Sequence, residues 1–332
     1  MLEEILVSAR SNPHIDPVMS VWGWEISVYL FLGGLTAGIM FFSALMLLLD
    51  KDEEAPFAVN GLALLGPVVL SLGMTTLFLD LSHKLFVWRF YTTFEPTSPM
   101  SYGAWILILF YPVGILQVLS TFRKGYPLFF AGLVNAFPRL AGLLDMAERY
   151  RRQIAWLAVP IAVALGVYTG VLLSAFSARP FWNTGLLGPL FLVSGLSTGA
   201  ALAALIARRH SERRLFTRID AGLIVVELLI VGLLLVNLST GSKPQIDAAA
   251  LLMGGSYTAV FWVVFVALGL LVPLALEYFE IRGSARSVAL LAPVLVLVGG
   301  YALRVIAVDL GQETTWINYT SEFNTQLLDR LH

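Results

Sequence analysis

Cysteine is absent from this 332-residue chain. That excludes disulfides, thiolate chemistry and cysteine-ligated iron–sulfur clusters within it. Histidine is nearly absent: only His14, His83, His210 and His332 occur. His14 and His332 fall in terminal segments, His210 reads as loop, and only His83 sits at the end of an apolar run. No pair can hold a haem between axial histidines inside the membrane, and a multi-histidine metal site is not expected. Charge is also sparse, at 13% of residues with a net of −1, so there is no electrostatic handle for nucleic acid. What the sequence has instead is apolar length. Hydrophobic residues make up 58% and mean hydropathy is +0.81, whereas soluble domains carry about 45–50% apolar and about 25% charged residues. An ordinary soluble enzyme is excluded. The first twenty residues lack a basic segment running into an apolar one, so no cleavable signal is expected and the first apolar run reads as a true span.

A bilayer core of about 30 Å needs about 20 apolar residues in a helix. Runs of that size lie near 27–49, 58–82, 102–122, 154–176, 185–207, 219–239, 257–280 and 287–309. The expectation is an all-α integral membrane protein of eight transmembrane helices, with an N-terminal segment 1–26 and a C-terminal tail 310–332. Arg10, Lys84, Arg89, Arg179, Lys243, Arg304 and Arg330 fall on one face, and the other 14 of the 21 Lys and Arg on the opposite face. The richer face reads as cytoplasmic, so both termini should lie on the outer, periplasmic side of a bacterial or archaeal inner membrane. In the long connection 123–153, Leu133, Phe137, Leu140 and Leu144 recur at helical spacing among arginines. This reads as one amphipathic helix on the inner surface.

The sequence also carries an internal echo. Gly33-Gly34-Leu35-Thr36-Ala37-Gly38 in the first span parallels Ser194-Gly195-Leu196-Ser197-Thr198-Gly199 in the fifth, each after a Phe-Leu pair. Pro160, Gly166 and Tyr168 align with Pro293, Gly299 and Tyr301. Two parallel four-helix repeats follow, about 27–176 and 185–309.

Polar groups in a membrane are costly and mark sites or pathways. Here most gather at the outer ends of spans: Glu25, Tyr29, Asp80, His83, Lys84, Tyr168, Arg179 and Arg304. Their plainer readings are belt residues for Trp24, Tyr102 and Trp182, an i,i+4 pair for Asp80 and Lys84, and snorkelling for Arg304. Glu227 stands alone near the middle of the sixth span and reads as a proton relay or a protonated, hydrogen-bonded group. Between spans two and three, Trp88, Arg89, Tyr91 and Phe94 suit docking of a partner.

The runs Tyr29–Gly38, Leu79-Asp80-Leu81, Ser98–Trp105, Tyr168–Ser174, Pro180–Asn183, Ser194–Leu196 and Gly299–Arg304, in that order, resemble the NrfD / polysulfide reductase PsrC family of haem-free, quinone-interacting membrane subunits. The resemblance covers nearly the whole span region. It implies a menaquinone or ubiquinone site near the outer surface, at Glu25, Tyr29 and their neighbours. It also implies a docked ferredoxin-like [4Fe–4S] subunit and a catalytic partner, either a molybdenum or tungsten pterin enzyme or a multihaem cytochrome c. The sequence departs from the family's turn after the second-span Asp, where it has Ser82-His83-Lys84. With such a ligand, Asp80, His83 and Glu25 would exchange protons while Lys84, Arg89 or Arg179 balance negative charge.

Two other function classes fit part of this pattern. A secondary transporter also uses repeats and membrane carboxylates, but its site lies at the midplane rather than at one surface. A passive anchor has no need of Asp80, His83, Lys84, Arg304 and Glu227.

Overall fold

A computed structural model of the protein describes residues 22–137, 140–282 and 290–315. Residues 1–21 and 316–332 of the expected terminal segments, with His14 and His332, lie outside the described residues, as do Arg139 and Arg286. The described residues are helical, with no strand among them. Eight helices are long and apolar enough to cross a membrane: α1 (Trp24–Leu48), α2 (Phe57–Asp80), α3 (Pro99–Gly125), α4 (Arg151–Ser174), α5 (Leu187–Ile206), α6 (His210–Ser239), α7 (Val260–Ile281) and α8 (Leu291–Glu313). The eight apolar runs each correspond to one of them. The largest difference is at α6, which starts at His210 rather than near 219. A hydropathy window sees only the lipid-facing part, whereas the extra turns are held by Phe216 and Glu212, both buried. Glu212 Oε1 accepts from the Ala58 backbone N–H at 2.6 Å. It thereby satisfies one of the unpaired donors in the first turn of α2.

α1 and α5 form the axis of the bundle. α1 packs on α2, α4, α5 and α8, and α5 on α1, α4, α6 and α8. The apolar window of α1 is 78% buried, against 28% for α2 and for α6, which face outward. The two glycine-rich motifs are the surface by which these helices meet. A Cβ on Gly199 would stand 2.7 Å from Gly38 Cα, and one on Gly195 would stand 2.7 Å from the Gly34 carbonyl oxygen. No side chain fits between the two backbones, which is how small residues drive helix association where lipid removes the hydrophobic incentive.

Polar ties fix the other helices around this axis. Gln117 of α3 donates to Ser43 Oγ of α1 at 2.9 Å, and Ser43 donates to the Val59 carbonyl of α2 at 3.0 Å. At the end where α1 begins, the N-terminal face, Trp22 and Gln312 exchange two hydrogen bonds of 2.9 and 3.0 Å, joining the first and last spans. Trp182 is fully buried, with its indole N–H donating to the Ala307 carbonyl at 2.6 Å. It is therefore a packing element rather than a belt residue, while Trp24 and Tyr102 are exposed as a belt requires.

At the opposite, basic face, the 123–153 connection holds two helices, Pro127–Ala136 and Leu140–Arg149, rather than one. Pro138 lies between them and has no N–H to continue a helix. The second packs on α3 with Leu144 and Ala147 buried, and Arg123 pairs with Asp145 and with Glu148, the latter at 3.3 Å.

The α1–α5 contact makes a prediction. Gly199→Leu should destabilise the bundle by roughly 1–3 kcal/mol through overpacking. Gly222→Ala, at a position with open space around it, should be neutral. Thermal unfolding of the detergent-purified protein checks both.

Candidate functional site

At the N-terminal face, α1–α4 and the α2–α3 connection enclose a cavity of about 400 Å³. Most of its wall is apolar: Ile26 and Leu30 from α1, Met74, Leu77 and Phe78 from α2, Leu107 from α3, and Leu172 and Leu173 from α4. The polar groups that reach it are Tyr29, Asp80, Tyr91 and Tyr168. Tyr29 sits one turn before the glycine motif of α1 and is buried. Gly103 of α3 leaves room for Tyr168, since any Cβ there would overlap the phenol ring. Asp80 is the last residue of α2, because Leu81 is extended. That position is one the helix dipole disfavours for an anion. The break also takes Lys84 off the helix, so Asp80 and Lys84 do not form the i,i+4 pair that the spacing allowed. Burial, and then the neighbouring Tyr111, push the Tyr91 phenol above its ordinary range. It stays a hydrogen-bond donor.

Of the residues singled out in the sequence, Tyr29, Asp80 and Tyr168 thus meet in one cavity. Tyr91, expected at a docking surface, belongs to the same wall. Glu25 does not line the cavity but lies within electrostatic reach of Asp80. His83 and Lys84 are exposed beyond the end of α2 and do not line the cavity. Trp88, Arg89 and Phe94 are exposed on the connection that covers it. The Arg89 guanidinium lies 4.7 Å from the Phe86 ring centroid, and Phe94 meets Trp105 edge-on at 5.5 Å. Arg179 is turned elsewhere. It is buried and donates to the Gln312 and Thr314 carbonyls at 3.2 and 3.1 Å, closing the C-terminal end of α8.

Arg304 and Glu227 form a separate centre deep in the bundle. Arg304 donates to Ser194 Oγ at 2.5 Å, to the Gly300 carbonyl at 3.2 Å and to the Phe191 carbonyl at 3.1 Å. Its guanidinium lies 4.7 Å over the Phe191 ring. Glu227 lies close to Ser194 and within electrostatic reach of Arg304. Arg304 does not snorkel: it is 1% exposed.

Sequence reading missed three buried carboxyls near this centre: Asp220, Glu277 and Glu280. Each falls inside an apolar run, 219–239 or 257–280, but at its edge, where a charge passes for the beginning of a loop. The impression that polar groups favour one surface was therefore incomplete, since the basic-face half of α5–α7 holds its own set.

A family model described as polysulphide reductase, NrfD, matches residues 11–315 of the protein. The chain belongs to the NrfD family. It is 30% identical to a polysulfide reductase chain of Wolinella succinogenes over 305 residues, covering 88% of this protein and 94% of that one. It is 31% identical to Protein NrfD of Escherichia coli over 306 residues, covering 89% and 96%. A selenate reductase subunit of Mesobacillus selenatarsenatis is 23% identical over 245 residues, covering 64% and 57%. Of the seven runs that carried the NrfD resemblance, six divide between the two centres, and Pro180–Asn183 instead packs Trp182 against α8. Tyr29, Leu79–Leu81, Ser98–Trp105 and Tyr168–Ser174 border the cavity, whereas Ser194–Leu196 and Gly299–Arg304 build the Arg304 centre.

Removing one member of a buried charge pair costs about 3–5 kcal/mol because the partner is left uncompensated. Arg304→Met should lower the melting temperature strongly. Adding Glu227→Gln to it should recover part of the loss, since the stranded carboxylate is then gone. A double-mutant cycle by thermal unfolding measures this, and additive losses would mean that the two groups do not pair.

Proposed function

We propose that this protein is the quinone-binding membrane subunit of a respiratory reductase complex. The observation that carries the reading is the cavity in which Tyr29, Asp80 and Tyr168 converge at one end of an apolar chamber. Its volume is in the range of small-ligand sites, and its make-up fits a quinone, with apolar walls for the ring and tail and a few polar groups for the two oxygens. A bound quinone supplies two-electron, two-proton chemistry. The protein's own residues do the rest. The Tyr29 and Tyr168 hydroxyls orient the oxygens by donating hydrogen bonds. The apolar walls from α2 and α4 exclude water. The Asp80 carboxyl, one step from the rim, takes up or releases a proton, and Glu25 and His83 pass it to solvent.

The sequence has no cysteine, so electrons would reach this cavity from a partner. Leu85, Phe86, Trp88, Phe90 and Phe94 are exposed on its cover, a composition suited to docking. We read the partner as a ferredoxin-like [4Fe–4S] subunit joined to a molybdenum or tungsten pterin enzyme or a multihaem cytochrome c. Relatives named as parts of a polysulfide reductase and of a selenate reductase support membership of such a complex. The excess of basic residues at the opposite face supports an inner-membrane orientation with the cavity outward and both termini on that side. α1 and α5 pack on each other and share α4 and α8 as neighbours, while α2 packs on α1 as α6 packs on α5; that correspondence supports two parallel repeats. Glu227 is read as a proton relay. A cavity at one face rather than at the midplane weighs against a transporter.

Asp80→Asn and Tyr168→Phe should slow quinol-linked turnover of the purified complex by about a hundredfold, in the range for a lost proton-transfer group. Dye-linked activity of the catalytic partner should stay intact. If both activities fall together, these residues are structural, and if neither falls, the cavity is not the quinone site. Affinity purification in mild detergent should bring down a cysteine-rich iron–sulfur subunit, and recovery of the protein alone would remove the reading.

A further inference from the structure

A second cavity, of about 480 Å³, lies at the basic face. The last turn of α1, the first of α2, the last of α3 and the first of α4 surround it, and the connection before α6 completes the wall. Its lining is the reverse of the other chamber's: only Leu47, Pro56 and Val59 are apolar. Three cations reach it from three different elements, Lys124 at the end of α3, Arg151 at the start of α4 and Arg209 just before α6. Ser120, Thr121 and Asn60 add hydroxyls and an amide, and both hydroxyl residues are buried. Asp52 and Glu53 enter from the α1–α2 connection.

The cations here are not spent on one another's neighbours. Arg151 meets Asp52 at 3.6 Å, too far for a hydrogen bond, and Lys124 meets the same carboxylate at 3.4 Å. Pairs this long and this exposed contribute little. Arg209 donates to the Glu53 backbone carbonyl rather than to a carboxylate. Nor is a helix end the attraction, because Glu212 already takes the Ala58 N–H in the first turn of α2. A guanidinium fork, a second guanidinium and an ammonium around hydroxyls are the donor set that phosphate takes. Three cations against two carboxylates leave one positive charge. A phosphodiester carries one negative charge and balances it, whereas a phosphomonoester carries nearly two at neutral pH. The depth is right for a lipid, since the ends of spanning helices lie at the level of the headgroups. Leu49, Leu128 and Phe129, next in the chain to the lining ends of α1 and α3, are exposed and apolar, a surface for acyl chains.

We propose that this cavity binds the phosphodiester headgroup of a phospholipid from the leaflet at the basic face, on Lys124, Arg151 and Arg209. Asp52 is the stand-in anion: its carboxylate sits between Lys124 and Arg151, and a phosphodiester takes its place. A lipid held there ties together the α1–α2, α3–α4 and α5–α6 connections, which are far apart in sequence. The site is at the opposite face from the chamber of Tyr29, Asp80 and Tyr168, and it stands whatever that chamber holds.

The test is native mass spectrometry of the full-length protein, delipidated in detergent and titrated with phosphatidylglycerol. Diacylglycerol, which has the chains without the phosphate, and inorganic phosphate form separate arms. A single tightly retained phosphatidylglycerol is expected, and no retained diacylglycerol. Arg151→Gln should weaken its binding by at least about tenfold, as expected when a charge-assisted contact is lost. Lys124→Gln should do the same and serves if the first variant does not assemble. Asp52→Asn should act in the opposite direction and tighten binding by up to about fivefold, because the competing anion is gone. Arg282→Gln, on the same face but stacked on Tyr278 and outside the cavity lining, should change nothing. Equal retention of diacylglycerol would overturn the site in favour of a greasy contact. An Arg282→Gln effect as large as that of Arg151→Gln would reduce it to diffuse attraction by the basic face. Displacement of the lipid by an equal concentration of inorganic phosphate would make it a site for the free anion. Weaker binding in Asp52→Asn would remove the stand-in role. None of these outcomes bears on quinol turnover in the Asp80 and Tyr168 variants, so the two readings fail separately.

Discussion

Direct backbone contact between α1 and α5 is the constraint on which the rest of this bundle depends. In lipid, an apolar side chain gains little by leaving its surroundings, so helices hold together by close approach and by polar ties. Gly34, Gly38, Gly195 and Gly199 permit that approach, and the two helices they join are those around which the other spans are arranged. The same contact separates two environments. On one side, α2 and α4 lean on α1, α3 packs on those two, and an apolar chamber is left. On the other, α6 and α8 lean on α5, α7 packs on those two, and carboxyls and a guanidinium are enclosed.

Those two halves solve the problem of polar groups in a membrane differently. The cavity side keeps its reactive groups few, at a helix end close to water, where hydroxyls and one carboxyl are cheap to maintain. The other half buries charge at depth, setting Arg304 near Glu227 and leaving several carboxyl oxygens without a hydrogen-bond partner. Arg304 reaches the crossing between the halves: a Cβ on Gly34 would stand 3.0 Å from its Nη2. A change in charge at Glu227 is therefore felt within one residue of the helix crossing.

Much of this was legible in the sequence, for identifiable reasons. Eight apolar runs gave eight spans because hydropathy and length leave a bilayer helix little freedom. Repeated Gly-Leu-Thr/Ser motifs stood out because backbone contact tolerates so few residue types. Tyr29, Asp80 and Tyr168 could be grouped because each interrupts an apolar pattern near the same face. The failures are equally physical. Arg179 and Trp182 sit in a connection, and nothing local reveals that their partners are 125 or more residues away, at the end of α8. Tyr91 looked like a surface aromatic because the fold of the cover over the cavity is a tertiary matter. Asp220, Glu277 and Glu280 were passed over because their burial comes from neighbouring helices, not from their own. The start of α6 was misplaced because its first turns are held by Glu212 and Phe216 against other helices, outside the reach of any hydropathy window.

The paired amide bonds between Trp22 and Gln312 have a topological consequence. Residues at opposite ends of the bundle's helix order are hydrogen-bonded neighbours, so the eight spans close into a ring with no first or last member in space. A polypeptide joined there and opened at a connection on the basic face would keep every helix contact while shifting the order of synthesis. The bundle would then be entered into the membrane from a different span and still converge on the same α1–α5 crossing. The fold is in that sense a property of the ring, and the point at which the ribosome begins is incidental to it.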